Sequence, residues 1–422
     1  MSEASRVPGH AHHHLRETCR LCGSHELERV LELTPTPPAN AMVPKDHLEV
    51  EQRCFPLDVY FCSGCHHAQL LDIIDPSNLF EEYIYVSGTS SANVAHFGHY
   101  AEQVIQIGAL EAGDLVIDVG SNDGTMLRFF KDAGMRVLGI DPARSIAEQA
   151  TADGIETLPE FLTPRLAERI RAQYGPVKVV CANNVCAHID ALEDAIRAIR
   201  TLIEPDGIFV FQVSYLLDVY EKTLFDTIYH EHVDYHRVGP LRDFFDRLDM
   251  RLWDTYRPSA QGGSLRGYVS MKARGDVVRP SVDEMEALEH AAGLDDPQTL
   301  RDFSDRIVRA GNELSALLTG LKSRGYTIAG YGAPAKSTTL MHHFGLGSDL
   351  IEYIVEDNPL KQGLYTPGLH VPVLPTDVLY EQRPDYVVIL AWNFAEPIIE
   401  KHKEFTRRGG RFIIPLPALS IR

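Results

Sequence analysis

Long apolar runs are missing from this sequence. No stretch of its 422 residues approaches the length needed to cross a bilayer, and the N-terminus carries no signal-peptide hydrophobic segment, so a cytoplasmic chain without a membrane span is expected. Positive charge is short as well: 40 Lys and Arg stand against 59 Asp and Glu, a net charge of -19, which argues against a nucleic-acid surface and against anionic membrane. A nucleotide-linked ligand stays compatible with that balance, because a few local cations and backbone amides can hold one. At this length and with ordinary apolar content, two or three domains are expected.

Cysteine is sparse but patterned. Four of the seven fall as Cys19-x-x-Cys22 and Cys62-x-x-Cys65, with the turn residues Gly23, Ser63 and Gly64 in or beside the two knuckles. In a cytosolic chain two such knuckles supply the four thiolates of a zinc ribbon, and a full set of thiolates leaves no open position, so the ion is expected to be structural. Cys54, Cys181 and Cys186 are expected as packing residues. Met1 to Arg16, which includes His12-His13-His14, is assigned no element, and proline-rich Leu31 to Pro44 is expected as a loop. The alternating run Leu57 to Phe61 is expected as a strand entering the second knuckle, and residues 1–75 form the expected ribbon domain.

Strands and helices then alternate. Leu115 to Val119 is a buried apolar run ending in the turn Gly120-Ser-Asn122-Asp-Gly124, with a helix over Thr125 to Lys131. The next strand, Met135 to Ile140, ends in Asp141, where a nucleoside's ribose hydroxyls would be held. Further strands are expected over Val177 to Ala182 and Gly207 to Ser214, closed by an antiparallel hairpin of Arg251 to Tyr256 and Leu265 to Lys272. Together these make a domain over 76–280. Helical spacing over Leu288 to Leu321 opens a C-terminal domain expected over 281–422, and a second α/β unit follows. It opens on Gly330-Tyr331-Gly332-Ala-Pro-Ala335-Lys336, which matches the weak GxGxxA form of a phosphate-cradling turn. Lys336 is a candidate for a diphosphate oxygen, and Asn393 and Tyr331 are candidates for the rest of a nucleotide-linked substrate.

Chemistry concentrates at Tyr229-His230-Glu231-His232. Packing gives no reason to gather two imidazoles, a carboxylate and a phenol after a hydrophobic strand, since each costs free energy to bury without a partner. General acid–base work does give one, with a polar helix start or a metal site as the alternatives. A glycine turn with an acid downstream could also serve a dinucleotide, which leaves an NAD-dependent oxidoreductase or a nucleotide-sugar binding module as competing readings. The third-glycine spacing of the dinucleotide fingerprint is absent, however. Asp118-x-Gly120-x-Asn122-x-Gly124 instead resembles motif I of the class I S-adenosylmethionine-dependent methyltransferases.

The order of these parts widens that resemblance. From Cys19 to the end, the Cys-Arg-x-Cys-Gly opening, the Phe80 to Ser91 segment, the Tyr229 to His232 motif and the Gly330 to Lys336 turn resemble sugar C-methyltransferases that act on nucleotide-linked 4-keto-deoxysugars. More closely, the sequence resembles the 3-C-methyltransferases of the tetronitrose and kijanose pathways of antibiotic biosynthesis. The resemblance implies structural zinc on Cys19, Cys22, Cys62 and Cys65. It implies S-adenosylmethionine, released as S-adenosylhomocysteine, held by Asp118, Gly120, Asn122, Gly124, Asp141, Asn183 and Ser87. It also implies a thymidine diphosphate keto sugar lying towards the C-terminal domain, His232 as the base at C-3, and Tyr83, His188, Tyr229 and Glu231 lining the same site. A monomer is compatible with it. The implied fold is a zinc ribbon, a class I methyltransferase sheet and a second Rossmann-like α/β domain.

Overall fold

The computed structural model describes residues 13–80, 88 and 91–422, leaving aside the side chains of 78, 91–93 and 261. Tyr83 and Ser87, two of the expected site residues, lie outside the described residues.

Five strands open the chain: β1 (His13–Leu15), β2 (Leu27–Thr36), β3 (Phe55–Cys62), β4 (Ala68–Leu70) and β5 (Asp72–Ile74). β2, β3 and β4 form an antiparallel meander, and β1 pairs with β5. One expectation is corrected here: the loop expected from Leu31 is strand as far as Thr36. Leu31 and Leu33 are buried in alternation with exposed Glu32 and Thr34, and beyond a register irregularity Thr36 is buried again before Pro37-Pro38 ends the strand.

The central sheet takes β6 (Leu115–Val119), β7 (Arg136–Ile140), β8 (Thr157–Leu158), β9 (Val179–Asn183) and β10 (Ile208–Ser214), all parallel. β6 is buried at every residue, as a strand covered on both faces must be. After β10 the chain makes β11 (Asp234–Tyr235), which leaves this sheet and adds to the ribbon meander against β4. β12 (Met250–Tyr256) and β13 (Ser264–Met271) return as the expected antiparallel hairpin, giving the order β12-β13-β10-β9-β6-β7-β8. Inserting the last strand antiparallel beside the fifth departs from the 3-2-1-4-5-6 order of dinucleotide folds.

The helix expected over Leu288 to Leu321 is two helices, Pro280–Ala291 and Pro297–Ser323. Gly293 interrupts the run at φ +75°, and Asp296 caps the restart by accepting from the Gln298 amide over 2.8 Å. The C-terminal sheet holds β14 (Ile328–Tyr331), β15 (Ile354–Glu356), β16 (Val373–Pro375), β17 (Tyr386–Ile389) and β18 (Arg411–Ile414) in the parallel order β16-β15-β14-β17-β18. An antiparallel edge strand, β19 (Ser420–Ile421), completes it. One apolar core runs through the ribbon meander, the central sheet and the C-terminal sheet, and Phe225 of the central part meets Phe344 of the C-terminal part with ring centroids 5.0 Å apart.

Candidate active site

The turn after β6 is built by its own residues. Gly120 and Gly124 each sit at φ +72°, and a Cβ on Gly120 would lie 2.4 Å from the Val185 side chain, so glycine is required there by the protein's own packing. Asp141, at the end of β7, folds back over the turn: Oδ2 accepts from the Asn122 amide over 2.8 Å and Oδ1 from the Ala143 amide over 2.9 Å. A carboxylate offers about four lone-pair positions, so two stay open. Around it are buried polar atoms without partners among the described residues: Asp118 Oδ1, Ser121 Oγ and Asn183 Oδ1. Burial and the neighbouring Asp141 hold the Asp118 carboxyl well above the usual range. The carboxyl ends of β6, β7 and β9 thus form an acidic cradle with unspent hydrogen-bonding capacity, the place where ligands bind in sheets of this kind.

Beside the cradle, rings stack in a row. Phe80 lies over His188 with centroids 5.4 Å apart, His188 over His232 at 5.0 Å, and His232 against Tyr229 at 4.1 Å. His188 comes from the turn after β9 and His232 from the segment after β10, so both stand at the same edge of the sheet as Gly120. His232 Nδ1 is 2.8 Å from the Thr227 carbonyl, which can only accept, so Nδ1 carries the proton. Nε2 is therefore the basic nitrogen, and the Tyr229 hydroxyl donates to it over 2.9 Å. Burial pushes this imidazole's pKa down to about 4 against the pull of Thr227, and burial also lowers His188, so both rings are neutral near pH 7.

Glu231 does not hydrogen-bond to His232. Its Oε1 accepts from Asn40 Nδ2 over 3.2 Å, while Oε2 is buried without a partner among the described residues. Burial lifts this carboxyl to about 7, opposed by the Asn40 amide and the Lys361 ammonium. The other imidazole of the motif, His230, is a core group: it is 1% exposed and donates through Nε2 to the Phe55 and Pro56 carbonyls of the ribbon.

Two of the candidate substrate contacts meet partners inside the protein. Lys336 points to buried Asp226, Nζ to Oδ2 3.5 Å, and stands 4.4 Å above the Trp392 ring. Tyr331 is buried, donating to Asp357 Oδ2 and accepting from His402 Nε2, each over 2.9 Å. Asn393 is half-buried and keeps an unpartnered Oδ1 among the described residues.

The four knuckle sulfurs lie within 4.8 Å of one another, with Cys19 to Cys65 at 3.6 Å and Cys22 to Cys62 at 3.5 Å. Thiolates about 2.3 Å from a tetrahedral zinc stand about 3.8 Å apart, so this donor set fits zinc and leaves no position for a fifth group. Arg20, inside the first knuckle, is buried and donates to Gln69 Oε1, the Leu70 carbonyl and Asp190 Oδ1, tying the ribbon to the central sheet.

Comparison with known proteins bears on the whole chain. A model described as a zinc binding domain matches residues 19–80, a methyltransferase domain matches 94–254, and a C-methyltransferase C-terminal domain matches 259–417. C-methyltransferase NovU of Streptomyces niveus is 35% identical over 401 residues, 95% of this chain and 96% of its own. The chain belongs to the C-methyltransferase family. Among solved structures, the magnesium protoporphyrin IX methyltransferase of Synechocystis PCC 6803 with bound SAH aligns at 15% identity and a TM-score of 0.34, covering 42% of this chain and 83% of that one. An S-adenosylmethionine-dependent methyltransferase of Anabaena variabilis ATCC 29413 aligns at 16% identity and a TM-score of 0.34, covering 41% of this chain and 83% of that one.

As a member of the C-methyltransferase family the chain uses S-adenosylmethionine as methyl donor and carries structural zinc, and the nicotinamide reading falls away. The open acceptor positions on Asp141 and the unpartnered Asp118 Oδ1, Ser121 Oγ and Asn183 Oδ1 suit a donor that carries hydroxyl and amino hydrogens. Asn40, Asp226, Thr227 and Lys361 take part in the site without having been expected there. Asn40 lay in a stretch read as loop and Lys361 reaches the site through tertiary folding, while Asp226 and Thr227 precede the motif in the same segment and act through contacts that their residue types do not announce.

Proposed function

We propose that this C-methyltransferase acts on a nucleotide-linked 4-keto-deoxysugar, removing the C-3 proton and placing the methyl group on that carbon. The observation that supports it best is His232: neutral, fixed through Nδ1, and presenting Nε2 beside the donor cradle. A sugar C–H is acidic enough for imidazole only next to a ketone that takes the charge as an enolate, so a keto sugar is required.

His232 Nε2 takes the proton, and Tyr229 and His188 stand where a donor meets the developing oxygen charge. S-adenosylmethionine supplies an electrophilic methyl group and leaves as S-adenosylhomocysteine. Carbanion and sulfonium charge cancel as the C–C bond forms and the C–S bond breaks, so a site from which water is excluded favours the step. Glu231, with one oxygen held by Asn40 and the other free, suits a C-3 amino group, accepting its hydrogen bond and balancing its charge when protonated. A thymidine diphosphate carrier fits against the C-terminal unit, with Asn393 as its contact.

Turnover of a thymidine diphosphate 3-amino-4-keto-deoxysugar with labelled S-adenosylmethionine, followed by NMR of the product, tests this reading. Label at C-3 is the expected result. Label on oxygen or nitrogen, or no turnover of any keto sugar, overturns it.

A further inference from the structure

The segment that carries His232 is gripped from the C-terminal unit at a point that the methyl-transfer chemistry does not itself use. Asp226 has no exposed surface, and Trp392 Nε1 donates to its Oδ2 over 2.7 Å while Lys336 Nζ stands 3.5 Å from the same oxygen. Two residues on, the Ile228 carbonyl accepts from Thr339 Oγ1 over 2.8 Å. Thr227 lies between these two grips, at the end of the 3-10 turn Phe225–Thr227, and its carbonyl is the one that holds His232 Nδ1.

A buried ion pair is a poor way to gain stability, because desolvation offsets most of the attraction; fixing one geometry is its best-attested use. Here the geometry fixed is that of a single peptide group. A neutral imidazole carries its proton on whichever nitrogen has an acceptor, so the Thr227 carbonyl decides that Nε2 is the free base. Were that carbonyl to turn away, part of the population would carry the proton on Nε2, where it blocks proton removal.

We propose that Asp226, clamped by Trp392 and Lys336, is a positioning residue for methyl transfer that holds the Thr227 carbonyl and with it the Nδ1–H tautomer of His232. This rests on His232 as the base.

The test uses the full-length zinc-loaded protein with 15N-labelled histidine, the His232 signals being identified by their loss in His232→Gln. The wild-type protein is expected to show the Nδ1–H form. In Asp226→Asn and Trp392→Phe the share of the Nε2–H form rises and kcat falls about tenfold, with KM for the keto sugar within about twofold. A folded variant that keeps the wild-type tautomer pattern overturns the proposal, whatever its activity. Trp392→Phe keeps the ring and removes only the donor, so it decides the matter if Asp226→Asn does not fold. Near-normal turnover by His232→Gln would remove the base reading, yet the tautomer shift would still report on the Asp226 clamp.

Discussion

The Tyr229 hydroxyl donates to His232 Nε2 over 2.9 Å, on the one nitrogen of that ring able to accept a proton. In the proposed mechanism the phenol gives up this hydrogen bond when His232 takes the sugar proton, and it is then a donor for the enolate oxygen. Tyr229→Phe is expected to lower kcat roughly 100-fold, the usual cost of losing one preorganised donor, while KM changes little. Steady-state kinetics in both substrates checks this.

His232→Asn keeps a polar group of similar reach but no base. Loss of about 1,000-fold in kcat is expected, within the range that general base catalysis supplies. Calorimetry should find S-adenosylmethionine and the nucleotide sugar bound as in the wild type. A rate near that of the wild type would remove His232 from the role.

Glu231 should be visible in the pH profile. Its carboxyl titrates at about 7 and His232 at about 4, so kcat/KM rises through pH 7 as Glu231 ionises, and His232 limits only near pH 4. Glu231→Gln is expected to erase the limb near 7. Stability has the matching sign: a raised carboxyl pKa means that folding grows less favourable as pH climbs from the unfolded value through 7. Glu231→Gln should therefore gain up to about 3 kcal/mol at pH 8 and little at pH 5, read by chemical denaturation at both.

Asp141→Asn removes the charge over the Gly120 turn and leaves one oxygen where two now accept backbone amides. A fall in S-adenosylmethionine affinity of about tenfold or more follows, since a hydrogen bond to a charged group contributes about 1.5–3 kcal/mol. Affinity for the nucleotide sugar should hold. Equal losses for both ligands would contradict the division of the site.

Zinc removal should cost more than the ribbon. Two of the four ligands, Cys62 and Cys65, bracket the turn into β4, and β4 holds β11, two residues past His232. Chelation or Cys62→Ser is expected to lower the melting temperature and the kcat together, with metal content measured alongside.

The sequence was informative wherever the signal is local. The paired CxxC knuckles, the buried run into the Gly120 turn, Asp141 at the next strand end and the Tyr229 to His232 cluster all depend on near neighbours. Distant partners left no such mark. Lys336 follows a glycine turn and reads as a phosphate ligand, and nothing near it in sequence shows that it also stands beside a buried carboxylate 110 positions upstream. Tyr331 likewise meets Asp357 and His402. The residue types around His230 and His232 do not tell the two imidazoles apart, because what separates them is a pair of backbone carbonyls, one far upstream at Phe55 and one just before the motif at Thr227. Asp234 and Tyr235 look like the tail of the motif, and only their register against Gln69 and Ala68 makes them a strand of another unit.

That borrowed strand sets what can be dissected. Since Asp234 and Tyr235 complete the ribbon meander while belonging in sequence to the methyltransferase half, cutting the chain near residue 80 would strip a sheet of its edge and free the histidine loop at one end. The ribbon is thus no detachable accessory, and a fragment lacking it should hold donor yet transfer nothing.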